Sequence, residues 1–213
     1  TVPEAGNRVR GLSLYCKRRC SCRRHQGMRT ARIIRPGAFY HVASRVNHKE
    51  MLLRSPAAKE LFMEQLARLR LRHECEILDF VIMENHVHLI LRPVGTSTLS
   101  GMIKFLLGAY TMIYNRIHGT WGRFWGSRYF SRPIMNLEDM VATMAYVDDN
   151  PVRAGLAASA EDWTWSGLAV HRSGLSKIIA PAPLWLTLLM PNHTQLALGD
   201  CPCSRPDDGD CPR

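Results

Sequence analysis

The chain has 213 residues, enough for one well-buried domain with appendages. It has no run of about eighteen or more apolar residues, which excludes a membrane-spanning helix, and no segment ordered basic, apolar, then small, as in a secretory signal. Its formal net charge of +10 favours a polyanionic partner such as nucleic acid.

Residues 1–27 hold seven Lys and Arg against one acid, and the tail from Asp200 holds four acids against two bases, so the middle of the chain keeps a surplus of bases. A basic middle argues for nucleic acid more strongly than a basic end does. The leader shows no apolar periodicity and reads as flexible. Met28 opens the more protein-like stretch and is the expected functional start, with a nucleic-acid-binding arm as the other reading. Cys16, Cys20 and Cys22 lie in the leader and Cys201, Cys203 and Cys211 in the tail. Their spacings do not match paired C-x2-C zinc sites, and free thiols in a reducing compartment are expected.

Phe39 to Asn47 reads as a first strand. Ser55-Pro56 is a helix entry, and Leu61, Phe62, Leu66, Leu69 and His73 give a helical stripe over residues 57–73. Cys75 to Met83 and Asn85 to Pro93 are strands too close for a helix between them, so they form an antiparallel hairpin turning near Met83 to Asn85. Thr96-Ser97-Thr98 caps a second helix carrying Leu99, Met102, Ile103, Leu106, Tyr110, Tyr114 and Ile117, which Gly119 ends. The stretch from Trp121 to Arg132 is aromatic and basic. It leads into a fourth strand near Tyr129 to Ile134. A third helix follows from Leu137 to Asp149, with Asn136 as N-cap and Pro151 as its expected stop. Trp163 to Ser166 packs or pairs. A short amphipathic helix around Leu184-Trp185-Leu186 and disorder over 200–213 are expected. The order β-α-β-β-α-β plus a further helix predicts an α+β, ferredoxin-like antiparallel sheet with helices on one face and the other face open.

His86 and His88 stand two apart in the third strand. They therefore share a face about 6–7 Å apart, while Val87, Leu89 and Leu91 take the other. An H-x-H alone is more often two ordinary histidines than a metal site. On the third helix, Leu137, Met140, Val141, Met144 and Val147 form an apolar stripe, and Tyr146 and Asn150 fall nearly opposite it with Asp139 and Thr143. Tyr146 is then a surface side chain or a presented nucleophile. With a metal at His86 and His88, and Asn150 adding an amide oxygen, the set would suit Mg²⁺ or Mn²⁺ acting on a phosphodiester. Trp121, Phe124 and Trp125 are stacking platforms for unpaired bases or a second core cluster; both readings stand.

Taken in order, Phe39-Tyr40-His41-Val42-Ala43-Ser44-Arg45, Met83 to Leu91, Tyr114-Asn115-Arg116, Phe124 to Tyr129 and Tyr146 to Leu156 resemble the single-tyrosine HUH transposases of bacterial insertion sequences. They are most similar to the REP-associated tyrosine transposases. The resemblance covers residues 28–174 and leaves 1–27 and 175–213 as appendages. It implies that His86, His88 and Asn150 hold a divalent metal and that Tyr146 is the nucleophile, although the family often carries Gln where Asn150 stands. It further implies cleavage and rejoining of single-stranded or hairpin DNA through a covalent 5′-phosphotyrosine, in the bacterial cytoplasm at the nucleoid. Arg45, Lys104, Arg116, Arg123, Arg128, Arg132 and Arg153 are the expected DNA contacts, and a homodimer is compatible. A non-catalytic hairpin-binding relative is the alternative.

Overall fold

A computed structural model describes residues 34–173 and 177–179. Strand β1 (Tyr40–Arg45) is followed by helix α1 (Pro56–Arg72), where Ser55 accepts a hydrogen bond from the Ala58 N–H and Pro56 opens the first turn. Strands β2 (Cys75–Ile82) and β3 (His86–Pro93) form the expected hairpin, closed by the Met83 N–H on the His86 carbonyl at 2.9 Å. Helix α2 (Leu99–His118) is capped by the Thr98 hydroxyl and stops at Gly119, whose φ of 62° is left-handed. Strand β4 (Phe130–Pro133) leads to helix α3 (Leu137–Arg153), capped by the Asn136 side chain on the Asp139 N–H. A further helix, α4 (Gly167–Ser173), was not foreseen from the sequence. Among the described residues no helix is long and apolar enough to cross a membrane.

The sheet is antiparallel throughout, in the order β2-β3-β1-β4. Helices α1 and α2 cover one face. Phe62, Leu66 and Leu69 from α1, and Met102, Ile103, Leu106 and Tyr110 from α2, bury Tyr40, Val42, Phe80, Val87, Leu89 and Leu91. The Tyr110 hydroxyl donates to the Ala58 carbonyl inside this core. Ile178 and Ile179 join the same core, and the Arg70 guanidinium donates to the Ile179 carbonyl at 2.9 Å.

The opposite face is not open, contrary to the expectation. Met140, Met144 and Val147 of α3 pack on Leu78, Val81, Met83 and Ile90, with Trp163 at the edge. These sheet residues would otherwise expose an apolar strip to water, and α3 is the element that buries it. Nor does Pro151 stop α3, which continues to Arg153. Proline so near the end removes only one intrahelical donor, and the last turn is closed by the Ala154 N–H on Asn150 and the Leu156 N–H on Pro151. The segment from Trp163 to Ser166 both packs and pairs. Ser166 bridges Val81, the Ile82 N–H donates to Trp165, and the Trp163 indole donates to the Ile82 carbonyl.

The buried arc of α3 is also turned from the expected stripe. It comprises Met140, Thr143, Met144, Val147, Asp148 and Pro151, whereas Leu137 is 44% exposed. That rotation brings the Tyr146–Asn150 line to the flank of the contact rather than to open solvent. Of the cysteines only Cys75 lies among the described residues; burial raises its thiol to about 11, which makes it a poor nucleophile. The leader, most of 175–199 and the tail lie outside the described residues.

Met144→Ala is expected to destabilise the chain by about 2–5 kcal/mol and Leu137→Ala by no more than about 0.5 kcal/mol in urea unfolding. Equal costs would contradict the orientation of α3.

Candidate active site

Strand register decides which side chains meet beneath α3. In antiparallel pairs, opposed residues share a face. His86 opposes Arg45 on β1, His88 opposes Ala43 on β1 and Val81 on β2, and His41 opposes both Ile90 and Arg132. The face under α3 therefore carries His86, His88, His41, Arg45 and Arg132. The side chains that alternate with them form the α1–α2 core.

The three imidazoles form a compact set. His86 and His88 have ring centroids 5.1 Å apart and nearly perpendicular planes. His41 lies edge to edge with His88, with ring centroids 5.1 Å apart and 19° between the planes, and its Nε2 lies 2.9 Å from His88 Nδ1. The other His88 nitrogen, Nε2, is buried without a hydrogen-bond partner. The Asn85 side chain accepts from His86 Nδ1 at 2.7 Å, while its amide nitrogen donates to the Lys49 carbonyl. Burial lowers all three histidine pKa values. His41 falls to about 4, with the Arg132 charge adding to burial. His86 also falls to about 4, lowered further by Arg45 and opposed by its hydrogen bond to Asn150. His88 is held well below its usual value by burial and then by His41, His86 and Arg45. At neutral pH all three are uncharged, so each ring offers a lone pair.

Helix α3 places Tyr146 against this set within one chain. Its ring is 5.5 Å from that of His88 and 5.9 Å from that of His41, edge-on to both. One turn later Asn150 hydrogen-bonds His86 and donates its amide nitrogen to the Tyr146 carbonyl at 2.7 Å. Arg153 stands with its guanidinium 5.9 Å from the Tyr146 ring centre. The helix is tied to β4 by Arg132, which donates to both Asp139 oxygens at 2.8 and 2.9 Å and to the Thr143 hydroxyl at 3.0 Å. Tyr110 and Tyr114, the other tyrosines of interest, stack on each other beside Phe124 on the far side of the sheet.

Among the described residues no three His, Cys, Asp or Glu side chains form a metal cage. His41 is no ligand here because its Nε2 is spent on His88. The donors that fit a divalent cation are the orphan Nε2 of His88, the His86 imidazole fixed by Asn85, and the Asn150 amide beside it.

The foreseen residues thus fall into groups. His86, His88, Tyr146 and Asn150 lie together, and Arg45 and Arg153 flank them. Arg132 lies on the same face but its guanidinium is engaged with α3. Lys104 is exposed on α2, in the layer on the other side of the sheet. Arg116, Arg123 and Arg128 are exposed along the stretch that leaves α2 for β4. The aromatic cluster divides: Phe124 is core, Trp125 is half-buried with its indole donating to the Leu107 carbonyl, and Trp121 is 92% exposed. Sequence reasoning missed His41. Strand alternation did carry the signal, because positions 41, 43 and 45 must face one way, but only the register with β3 puts that face beside His88.

The family model "Transposase IS200 like" matches residues 36–150, more than half of the chain. The chain belongs to the IS200-like transposase family. Among solved structures, this transposase is similar to a REP-associated tyrosine transposase bound to a REP hairpin. The two share 19% identity and a TM-score of 0.58, over 73% of this chain and 92% of the other. That likeness is one of fold. A putative transposase from Deinococcus radiodurans R1 also matches at 19% identity, over 58% of this chain and 97% of the other, with a TM-score of 0.41. No curated protein matches the transposase in sequence.

Two buried carboxyls adjoin the site. A bulge in β2 between Ile77 and Asp79 sets Asp79 opposite Ile90, on the α3 side. Burial and then the Asp148 charge hold Asp79 well above its usual value, and burial followed by Asp149 raises Asp148 to about 7. A Cβ at Gly167 would stand 2.1 Å from the Asp79 carboxylate oxygen and 2.9 Å from the Phe80 backbone nitrogen, so any side chain there would force that pair to shift. A carboxyl raised on folding stabilises the native state at low pH, and that contribution is lost as pH rises above the unfolded value of 3.8 and through the folded pKa. Asp79→Asn removes the dependence. Its stability relative to the parent is expected to rise with pH above 3.8 in urea titrations; a pH-independent difference would refute the raised carboxyl.

Proposed function

We propose that this transposase cleaves and rejoins single-stranded DNA through Tyr146. The observation that carries the reading is the placing of one helix. Tyr146 lies edge-on to His88 and His41, while Asn150 on the next turn hydrogen-bonds His86. The phenolic oxygen attacks a backbone phosphorus and an O–P bond forms. The bond from phosphorus to the 3′-oxygen of the preceding nucleotide breaks, the phenol gives up its proton, and the leaving oxygen takes one to become a 3′-hydroxyl. The product is a 5′-phosphotyrosine that conserves one phosphodiester, so a second 3′-hydroxyl can reverse the step without ATP.

His86, His88 and Asn150 would hold Mg²⁺ or Mn²⁺, whose chemistry when bound is Lewis-acid polarisation of the phosphate. Arg153 and Arg45 flank the tyrosine and histidines and hold the phosphates on either side of the scissile one. A hairpin with a single-stranded flank is the proposed substrate, by analogy with the relative solved on a REP hairpin. Arg116, Arg123 and Arg128 would track its backbone, and the exposed Trp121 would stack on an unpaired base.

Labelled hairpin DNA with a single-stranded flank, incubated with Mn²⁺ and run on a denaturing gel, is expected to give a protein-linked band that Tyr146→Phe abolishes. An adduct that survives Tyr146→Phe would overturn the assignment. Hairpin binding with no adduct under any divalent metal would favour the non-catalytic reading. Trp121→Ala is expected to weaken binding of the flanked hairpin by about 1–3 kcal/mol while leaving binding of the blunt hairpin unchanged. Equal losses on both would remove the stacking role.

A further inference from the structure

We infer that His41 is a positioning residue that sets the tautomer of His88 and so aims His88 Nε2 as a lone-pair donor. This inference rests on the metal reading proposed above.

The argument is one of proton placement. The 2.9 Å contact between His41 Nε2 and His88 Nδ1 holds a single proton, carried by one ring and accepted by the other. If His41 carried it, His88 Nδ1 would be the acceptor and the neutral His88 ring would keep its own proton on Nε2. That N–H would be buried without an acceptor, since Nε2 has no hydrogen-bond partner, at the cost of an orphaned donor in a dry site. With the proton on His88 Nδ1 and the lone pair on His41 Nε2, the bond is satisfied and His88 Nε2 is left basic. A lone pair can go unpartnered at lower cost than a donor, and it is the form a cation requires.

The mounting of His41 suits this task. It is 3% exposed and sits one strand from His88, with its ring plane within 19° of the His88 plane. Phe130 and Tyr146 close against its edges at 5.8 and 5.9 Å. His86 achieves the same end by a different partner, since its Nδ1 is fixed by Asn85. Each imidazole of the pair thus has its Nδ1 held by a dedicated group, an amide for one and a third imidazole for the other.

The test uses the full chain and Mn²⁺ alone. His41→Phe keeps an aromatic ring at this position but removes the acceptor. It is expected to weaken Mn²⁺ binding, followed by electron paramagnetic resonance, about 10- to 100-fold. His41→Gln, whose amide oxygen accepts, is expected to recover most of that loss. ¹⁵N spectra of the unsubstituted, metal-free protein should show His88 protonated on Nδ1. Unchanged Mn²⁺ affinity in His41→Phe, or His88 protonated on Nε2 in the parent, would overturn the role of His41. Absence of Mn²⁺ binding by the parent would instead overturn the metal reading itself. Should His41→Phe fail to fold, His41→Gln and the parent spectrum still decide the question.

Discussion

The pairing of β1 with β3 is the constraint on which the site depends. It sets Ala43 against His88 and Arg45 against His86, and it brings His41 into hydrogen-bonding range of His88. No single strand carries the site. Two histidines from β3, one from β1 and a tyrosine from α3 meet because hydrogen-bonded register and one covering helix agree on the same face. The same register sends Tyr40, Val42, Val87, Leu89 and Leu91 into the core under α1 and α2. Core and site are thus two outputs of one alternation, and neither can be rearranged without the other.

Covering the second face is the complementary requirement. Three neutral imidazoles and two carboxyls lie near or beneath α3, each with its pKa moved by burial. Burying such groups opposes folding. Apolar contact of Met140, Met144 and Val147 with β2 and β3 offsets it, and the Arg132 ties to Asp139 and Thr143 fix the azimuth of the helix. Arg132 was expected at a DNA surface. Its guanidinium donates to Asp139 and Thr143, which ties the tyrosine helix to β4.

Much of the fold was legible because its signals are local. Caps at Ser55, Thr98 and Asn136, the short gap between Met83 and His86, and the 3–4 spacing of α2 each read directly from neighbouring residues. The H-x-H face and the four-residue step from Tyr146 to Asn150 were legible for the same reason. What stayed hidden depends on contacts between distant segments. Leu137 and Val141 made the α3 stripe look turned away from Thr143, and only docking on Leu78 and Ile90 shows which arc is buried. His41 looked like an ordinary strand residue until its partner strand was known. Trp121, Phe124 and Trp125 share composition and differ only in which side of a loop they face.

The polarity of the two sheet faces has a consequence for how the chain finds its native pairing. A slip of one residue between β1 and β3 would turn every side chain of one strand over. His86 and His88 would then enter the dry layer beneath α1 and α2, and Val87 and Leu89 would lie under Tyr146. Such a mispaired sheet loses its apolar core and gains buried imidazoles without partners. The residues proposed to serve chemistry in the native state therefore also discriminate against the nearest competing state, so the site acts as a register lock for the sheet that carries it.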